Sequence, residues 1–106
     1  MRRVELRGER EVTAPGSVGA RLRRLAAGAH VVVIEVEPGG VVGRHPAGVA
    51  QLYAVVRGSG WACGADDVRV QLEAGDAVLF EPGEDHESGS DAGMTAFVIE
   101  AESLLA

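Results

Sequence analysis

The chain has 106 residues, of which 46% are hydrophobic and 25% charged, a mixture typical of a folded globular domain rather than a disordered one. Its net charge of −6 argues against nucleic acid, which binds basic surfaces. No apolar run approaches the roughly 20 residues that span a membrane. A lone Cys63 excludes an internal disulfide and indicates the cytoplasm, and the absence of lysine excludes Schiff-base chemistry. We therefore expect one cytoplasmic domain over residues 1–106, with neither nucleic acid nor membrane as partner.

The choice of apolar residues favours an all-β fold. Valine and alanine dominate, aromatic residues make up only 4%, and 15 glycines and 4 prolines interrupt the chain every eight to twelve residues. Valine suits pleated strands, and glycine and proline suit the tight turns between them. About eight to ten short strands are expected, arranged as an antiparallel jelly-roll barrel that closes or covers its own edges.

The secondary-structure pattern is weaker in the N-terminal part, up to residue 29, than in the rest of the chain. Residues 4–7 alternate and predict a first edge strand, and residues 13–17 predict a loop. Residues 20–25 are ambiguous, because their apolar positions also have helical spacing. A short strand followed by a turn at 26–29 is the preferred interpretation.

From residue 30 the pattern of β-branched runs and period-2 alternation becomes clear. The predicted strands are 30–37, 51–57, 61–63, 68–72, 77–80 and 95–100. Glycine-containing segments at 38–40 and 58–60 are expected to end strands, and 64–67 to form a hairpin turn. Residues 103–106 are expected to be a frayed tail.

A spaced set of glycine, histidine and polar residues begins at Gly39. Five residues separate Gly39 from His45, one separates His45 from Ala47, three separate Ala47 from Gln51, and six separate Gln51 from Gly58. A glycine at each end of such a segment allows a positive φ or a close backbone approach where a strand turns.

A second spaced set follows 16 residues later and spans 75–90. Its positions are Gly75, Glu81, Gly83, His86 and Ser90. Together the two sets resemble the two ordered motifs of the cupin family, at 39–58 and 75–90. The resemblance implies a single-domain cupin of the RmlC-like type.

The resemblance also implies where a metal would bind, and the chain departs from the family there. The family uses two histidines and a glutamate from the first motif and one histidine from the second. This chain keeps His45 and His86, whereas Ala47 replaces the second histidine and Gln51 the glutamate. A metal site of His45, Gln51 and His86 would bind a divalent ion (Zn, Ni, Fe or Mn) weakly, because an amide oxygen carries no charge. A compensating carboxylate from Glu84 or Asp85 is one alternative.

Strand alternation places residues 51, 53 and 55 on one face, so Tyr53 and Val55 point into the barrel if Gln51 does. His45 is then expected from the preceding strand and His86 from the opposite sheet. His86 and Tyr53 are the candidate catalytic residues. Neighbouring acidic side chains are expected to raise the pKa of His86.

Three functions remain open. The leading hypothesis is a small-molecule-binding cupin with a degenerate metal site that serves as an enzyme of small-molecule metabolism, in which the metal acts as a Lewis acid. The alternative is a metal-free, non-catalytic binding or sensor module. A third is an assembly subunit, a homodimer that uses the apolar segment 30–37. His30 is expected to be structural or exposed, and Cys63 a small buried hydrophobe.

Overall fold

The computed structural model describes residues 9–26 and 30–101, except for the side chains of residues 23–26. All pairings between the described strands are antiparallel, and no helix occurs in this part of the chain. It therefore contains no helix that could cross a membrane. The eight strands are β1 (Arg10–Glu11), β2 (Val18–Ala26), β3 (His30–Pro46), β4 (Ala50–Cys63), β5 (Val70–Glu73), β6 (Ala77–Phe80), β7 (Asp85–Ser90) and β8 (Met94–Ala101).

The all-β prediction is confirmed, and several strands match closely. β6 has the predicted bounds, and β8 is one residue longer at each end than predicted. The ambiguous segment 20–25 lies in β2, because Ala20 and Leu22 place alternate side chains against the core. The predicted strand 4–7, most of the turn 26–29 and the tail 103–106 lie outside the described residues.

Two predicted strand ends are wrong. β3 continues through 38–40 and β4 through 58–60, where strands were expected to stop. Gly39 and Gly58 bend these strands without ending them. The two parts of each bent strand can therefore pair with different neighbouring strands. The first part of β3 pairs with β8, and its last part, from Gly40 to Pro46, pairs with β7.

β7 has no counterpart among the predicted strands. Its sequence, DHESGS, lacks the apolar alternation of a strand, yet four of its six residues are buried. It is inserted between β3 and β4, which satisfy its backbone hydrogen bonds on both edges. Its partners therefore determine its conformation.

The four motif glycines all have the positive φ that their spacing suggested. The angles are 80° at Gly39, 74° at Gly58, 99° at Gly75 and 80° at Gly83. Other residues rarely adopt this region, since a Cβ would clash with the backbone. Glycine is therefore required for the bends that let β3 and β4 contribute to both sides of the barrel.

Side chains from β3, β8 and β4 form successive rows on the inner surface. The register pairs Glu100 with both His30 and Gln51, then Val98 with Val32 and Tyr53, then Ala96 with Ile34 and Val55. The last row is part of the hydrophobic core, whereas the first lies towards one end of the barrel. The end of β3 and β7 face these rows with His45, His86, Ser88 and Ser90.

Candidate functional site

A cavity of about 260 Å³ opens at the end of the barrel where the polar row lies. Aliphatic side chains of β2, β3 and β8 form much of its wall. Small-molecule sites usually combine apolar walls with convergent polar groups, and this cavity has both. Its polar lining comprises Arg10, His30, His45, Gln51, Tyr53, His86, Ser88 and Glu100.

The three residues predicted as metal ligands all line this cavity. Gln51 and Tyr53 are 8% and 3% exposed and share the inner face, as the alternation predicts. His45 and His86 are direct cross-strand neighbours on β3 and β7, with ring centroids 4.4 Å apart. The expectation that His86 comes from a different sheet than His45 is therefore wrong. The bend in β3 pairs its last part with β7, which places both histidines side by side in the cavity lining that also contains Gln51.

Both imidazoles are oriented by backbone carbonyl groups. Nδ1 of His45 lies 2.7 Å from the carbonyl oxygen of Gly43, and Nδ1 of His86 lies 3.0 Å from that of Glu84. A carbonyl oxygen only accepts, so each Nδ1 must carry the proton of its hydrogen bond. Each Nε2 then remains available as an acceptor or a metal ligand, the arrangement usual for ligating histidines.

Burial controls the protonation of His86. The side chain is 4% exposed and stacks on Phe80 with centroids 4.2 Å apart. Desolvation lowers the pKa of His86 below its usual value, because burial penalises the imidazolium. The carboxylates of Glu84 and Asp85 act in the opposite direction but less strongly. The expectation that acidic neighbours raise this pKa is therefore wrong.

Glu100 is the site residue that the sequence reasoning missed. Nε2 of Gln51 donates a hydrogen bond to Oε1 of Glu100 at 2.8 Å, and Nδ1 of His30 lies 3.4 Å from Oε2. The signal was present: in the predicted strand 95–100, Glu100 shares the inward face with Ala96 and Val98. An acidic residue at the end of an apolar inner face suggests a cavity mouth.

Tyr53 places a phenol in the wall of the cavity. Burial raises the pKa of Tyr53 to about 12, so the hydroxyl stays neutral at physiological pH. The Ser88 hydroxyl is near enough to offset part of that rise, yet no hydrogen bond of normal geometry forms to Tyr53 within the described chain. An unpartnered buried hydroxyl costs free energy, and a ligand atom would satisfy it.

Glu84 and Asp85, the carboxylates expected to compensate for Gln51 at a metal site, lie outside the cavity lining. The Glu84 side chain accepts hydrogen bonds from the backbone N–H groups of Glu81 at 3.0 Å and Ala65 at 3.1 Å, which lower its pKa. Neither it nor the exposed Asp85 lines the cavity, so the hypothesis of a compensating carboxylate at 84 or 85 is wrong. Ala47, at the family's second histidine position, is buried in the core.

A cluster of possible metal-ligating side chains lies outside the cavity lining. Ligand atoms of Cys63, Asp67 and Glu87 are within 4.8 Å of one another, a spacing that could hold a metal ion. The buried Cys63 thiol donates to Oε1 of Glu87 at 3.4 Å, and burial raises its pKa. Nη1 of Arg44 lies 2.8 Å from the Asp67 carboxylate. A protonated thiol and a paired carboxylate both oppose cation binding.

Solved structures with the same fold come from several bacteria. The polyketide cyclase RemF from Streptomyces resistomycificus aligns over 100% of this chain and 82% of its own, with TM-score 0.80 and 21% identity. A predicted oxalate decarboxylase from Thermotoga maritima aligns over 88% and 90%, with TM-score 0.74 and 21% identity. An RmlC-like cupin from Shewanella frigidimarina aligns over 82% and 79%, also with TM-score 0.74 and 21% identity.

Sequence comparison gives the family directly. No curated protein sequence matches this chain. A family model described as the cupin domain matches residues 32–100, a segment that includes both motifs. That segment is 69 of the 106 residues, and the fold agrees with the solved structures. The chain belongs to the cupin family.

Proposed function

We propose that this cupin binds a small organic molecule in the cavity, with the Tyr53 hydroxyl and the imidazoles of His45 and His86 as its polar contacts. The observation that carries the proposal is the buried hydroxyl of Tyr53, which makes no hydrogen bond of normal geometry within the described residues and lines the cavity together with aliphatic side chains. The two free Nε2 atoms add acceptors for a ligand N–H or O–H. Two structural neighbours are named for small-molecule reactions, a polyketide cyclase and a predicted oxalate decarboxylase.

Small-molecule binding is tested by NMR titration with benzyl alcohol, a compact probe with an apolar ring and one hydroxyl. Methyl signals of Val32, Val42 and Val98, which line the cavity, should shift with one saturable constant. Signals of the exposed Val56 and Val70 should stay unchanged. Equal shifts at both sets, or none at the cavity, would contradict a binding site here.

A divalent metal fits the pair His45 and His86 in part. Both imidazoles have the tautomer that a metal needs, and the Gln51 side chain retains an amide oxygen while its nitrogen donates to Glu100. The set is neutral, so we propose weak binding of Zn, Ni, Fe or Mn. When bound, such an ion supplies a Lewis acid for a carbonyl or enol oxygen. Without a metal, the lowered pKa of His86 favours its neutral form, so its Nε2 can accept a proton; an ion bound there would occupy that nitrogen.

The metal-free module remains the second candidate, and one observation favours it. Within the described residues, the cavity contains no three histidine, cysteine or acidic side chains whose ligand atoms converge within 4.8 Å. A preformed three-ligand site of the usual type would need such convergence. In this alternative, the imidazoles act only as hydrogen-bonding groups for an organic ligand.

Zinc titration distinguishes these candidates. After chelation, wild-type protein is expected to bind one Zn²⁺ weakly, and His45→Ala or His86→Ala should weaken binding by at least about tenfold, which is 1.4 kcal/mol. His30→Ala removes a more exposed imidazole and is the matched control. Calorimetry measures the affinities, and circular dichroism checks that His86→Ala is still folded. Wild-type protein without saturable zinc binding would favour the metal-free module.

We also propose that the chain forms a homodimer. Segment 30–37 has both edges paired, with β2 and β8, so only its outward face is available. Phe97, paired with Val33 and Ala54, is 38% exposed on that outer surface. Phe97→Glu should convert dimer to monomer in multi-angle light scattering, whereas Val70→Glu on β5 should not. A monomeric wild-type protein would contradict the proposal.

A further inference from the structure

The position of Glu100 sets it apart from the other acidic residues. It lies on β8 between His30 of β3 and Gln51 of β4, and its side chain lines the cavity. The side chain is 31% exposed, so about two thirds of it is removed from water. No other carboxylate lines this cavity in the described part of the chain.

The partners of Glu100 leave part of its acceptor capacity unused. Oε1 accepts one hydrogen bond from the neutral Gln51 amide, and the His30 nitrogen at 3.4 Å from Oε2 is beyond normal hydrogen-bond length. A carboxylate accepts about four hydrogen bonds. Arg10 is exposed and lines the same cavity, but the ion pair that Glu100 makes within the described residues is with His30 and not with Arg10.

Within the described residues, the one ion-pair partner of Glu100 is His30, which is a cation only when its imidazole is protonated. A partly buried carboxylate with no permanent cation beside it favours a cation that arrives with a ligand. This cation is not expected to be the metal ion proposed above, because the ligand atoms of Glu100, His45 and His86 do not all lie within 4.8 Å of one another. An ammonium group needs no such convergence, and the aliphatic wall would cover its organic body. The ammonium would form a charge-assisted hydrogen bond, the stronger kind.

We propose that Glu100 selects small organic amines, by binding the protonated amino group at the mouth of the cavity while the apolar part lies against the aliphatic wall. This deepens the proposed function and rests on it, because it names the ligand class of the same cavity. Gln51 positions the carboxylate by holding Oε1, which leaves Oε2 for the ligand.

The test compares benzylamine with benzyl alcohol, which have the same ring and differ in the charge of the terminal group. Titrations at pH 7.5 with EDTA present prevent either probe from binding through a metal. Wild-type protein should bind benzylamine about tenfold more tightly than benzyl alcohol. Glu100→Gln should remove this preference and leave the benzyl alcohol affinity unchanged, since glutamine can still accept the Gln51 hydrogen bond.

The control variant is Glu73→Gln, which removes the same charge from an exposed position on β5 away from the cavity. It should keep the full amine preference. Equal binding of both probes by wild-type protein, or a preference that survives Glu100→Gln, would overturn the inference and leave the small-molecule site intact. Binding of neither probe would overturn both proposals.

Discussion

Replacing Gly58 with alanine is expected to lower the free energy of unfolding by about 2–4 kcal/mol. Gly58 has φ of 74°, which costs an L residue about 1–2 kcal/mol. A Cβ there would also overlap the carbonyl oxygen of Gly93 and lie 3.2 Å from Cα of Met94. These are backbone atoms of the start of β8 and the turn before it, so a side-chain rotation does not relieve the overlap. Urea unfolding at 25 °C measures the change.

Two other glycines separate the cost of the positive φ from the cost of the overlap with Gly93. Gly39 has φ of 80°, and no atom lies within 4 Å of the position that a Cβ would take, so Gly39→Ala reports the backbone cost alone. Gly48 has open space and no positive φ, so Gly48→Ala should be neutral or slightly stabilising. Gly58→Ala should be the least stable of the three. Equal destabilisation at 58 and 39 would show that the Gly93 contact is relieved by movement.

Gln51→Glu is expected to raise zinc affinity by at least about tenfold, or 1.4 kcal/mol. The change restores an anionic oxygen in the cavity lining that His45 and His86 share. It also places a second carboxylate directly opposite Glu100, where a hydrogen bond exists now. Without metal the two negative charges should destabilise the protein by about 1 kcal/mol. Zinc should offset this loss, so the variant gains more thermal stability from zinc than the wild type does.

The charge control is Gln71→Glu, which adds the same charge at an exposed position of β5. It should leave zinc affinity and thermal stability nearly unchanged. Calorimetry and thermal unfolding with and without Zn²⁺ measure both quantities. If Gln51→Glu binds zinc no more tightly than the wild type, then position 51 does not face the two imidazoles closely enough to share a metal.

Much of the site could be predicted from local patterns. Alternation along β4 has a period of two, so the burial of Gln51, Tyr53 and Val55 on one face follows from the sequence. The same reasoning would have found Glu100, two positions beyond Val98 on β8. Glycine adopts the positive φ found at Gly58 far more readily than other residues, so that requirement too could be read locally.

Other features depended on the tertiary structure. β7 is a strand because β3 and β4 pair with it, and its polar sequence carries no local strand signal. The bend in β3 moves its second half from β8 to β7, which makes His45 and His86 neighbours. The direction of the His86 pKa shift also required the structure, because acidic neighbours are visible in the sequence and burial is not.

The sequence by itself determined the strand-rich character, the inward face of β4 and the glycines at the bends, since each depends on the conformational preference of single residues or on the two-residue repeat of a strand. Only the tertiary structure decided which polar groups share the cavity and which carboxylate faces them. That information lies in the register between strands far apart in the chain, and register depends on the packing of the whole barrel.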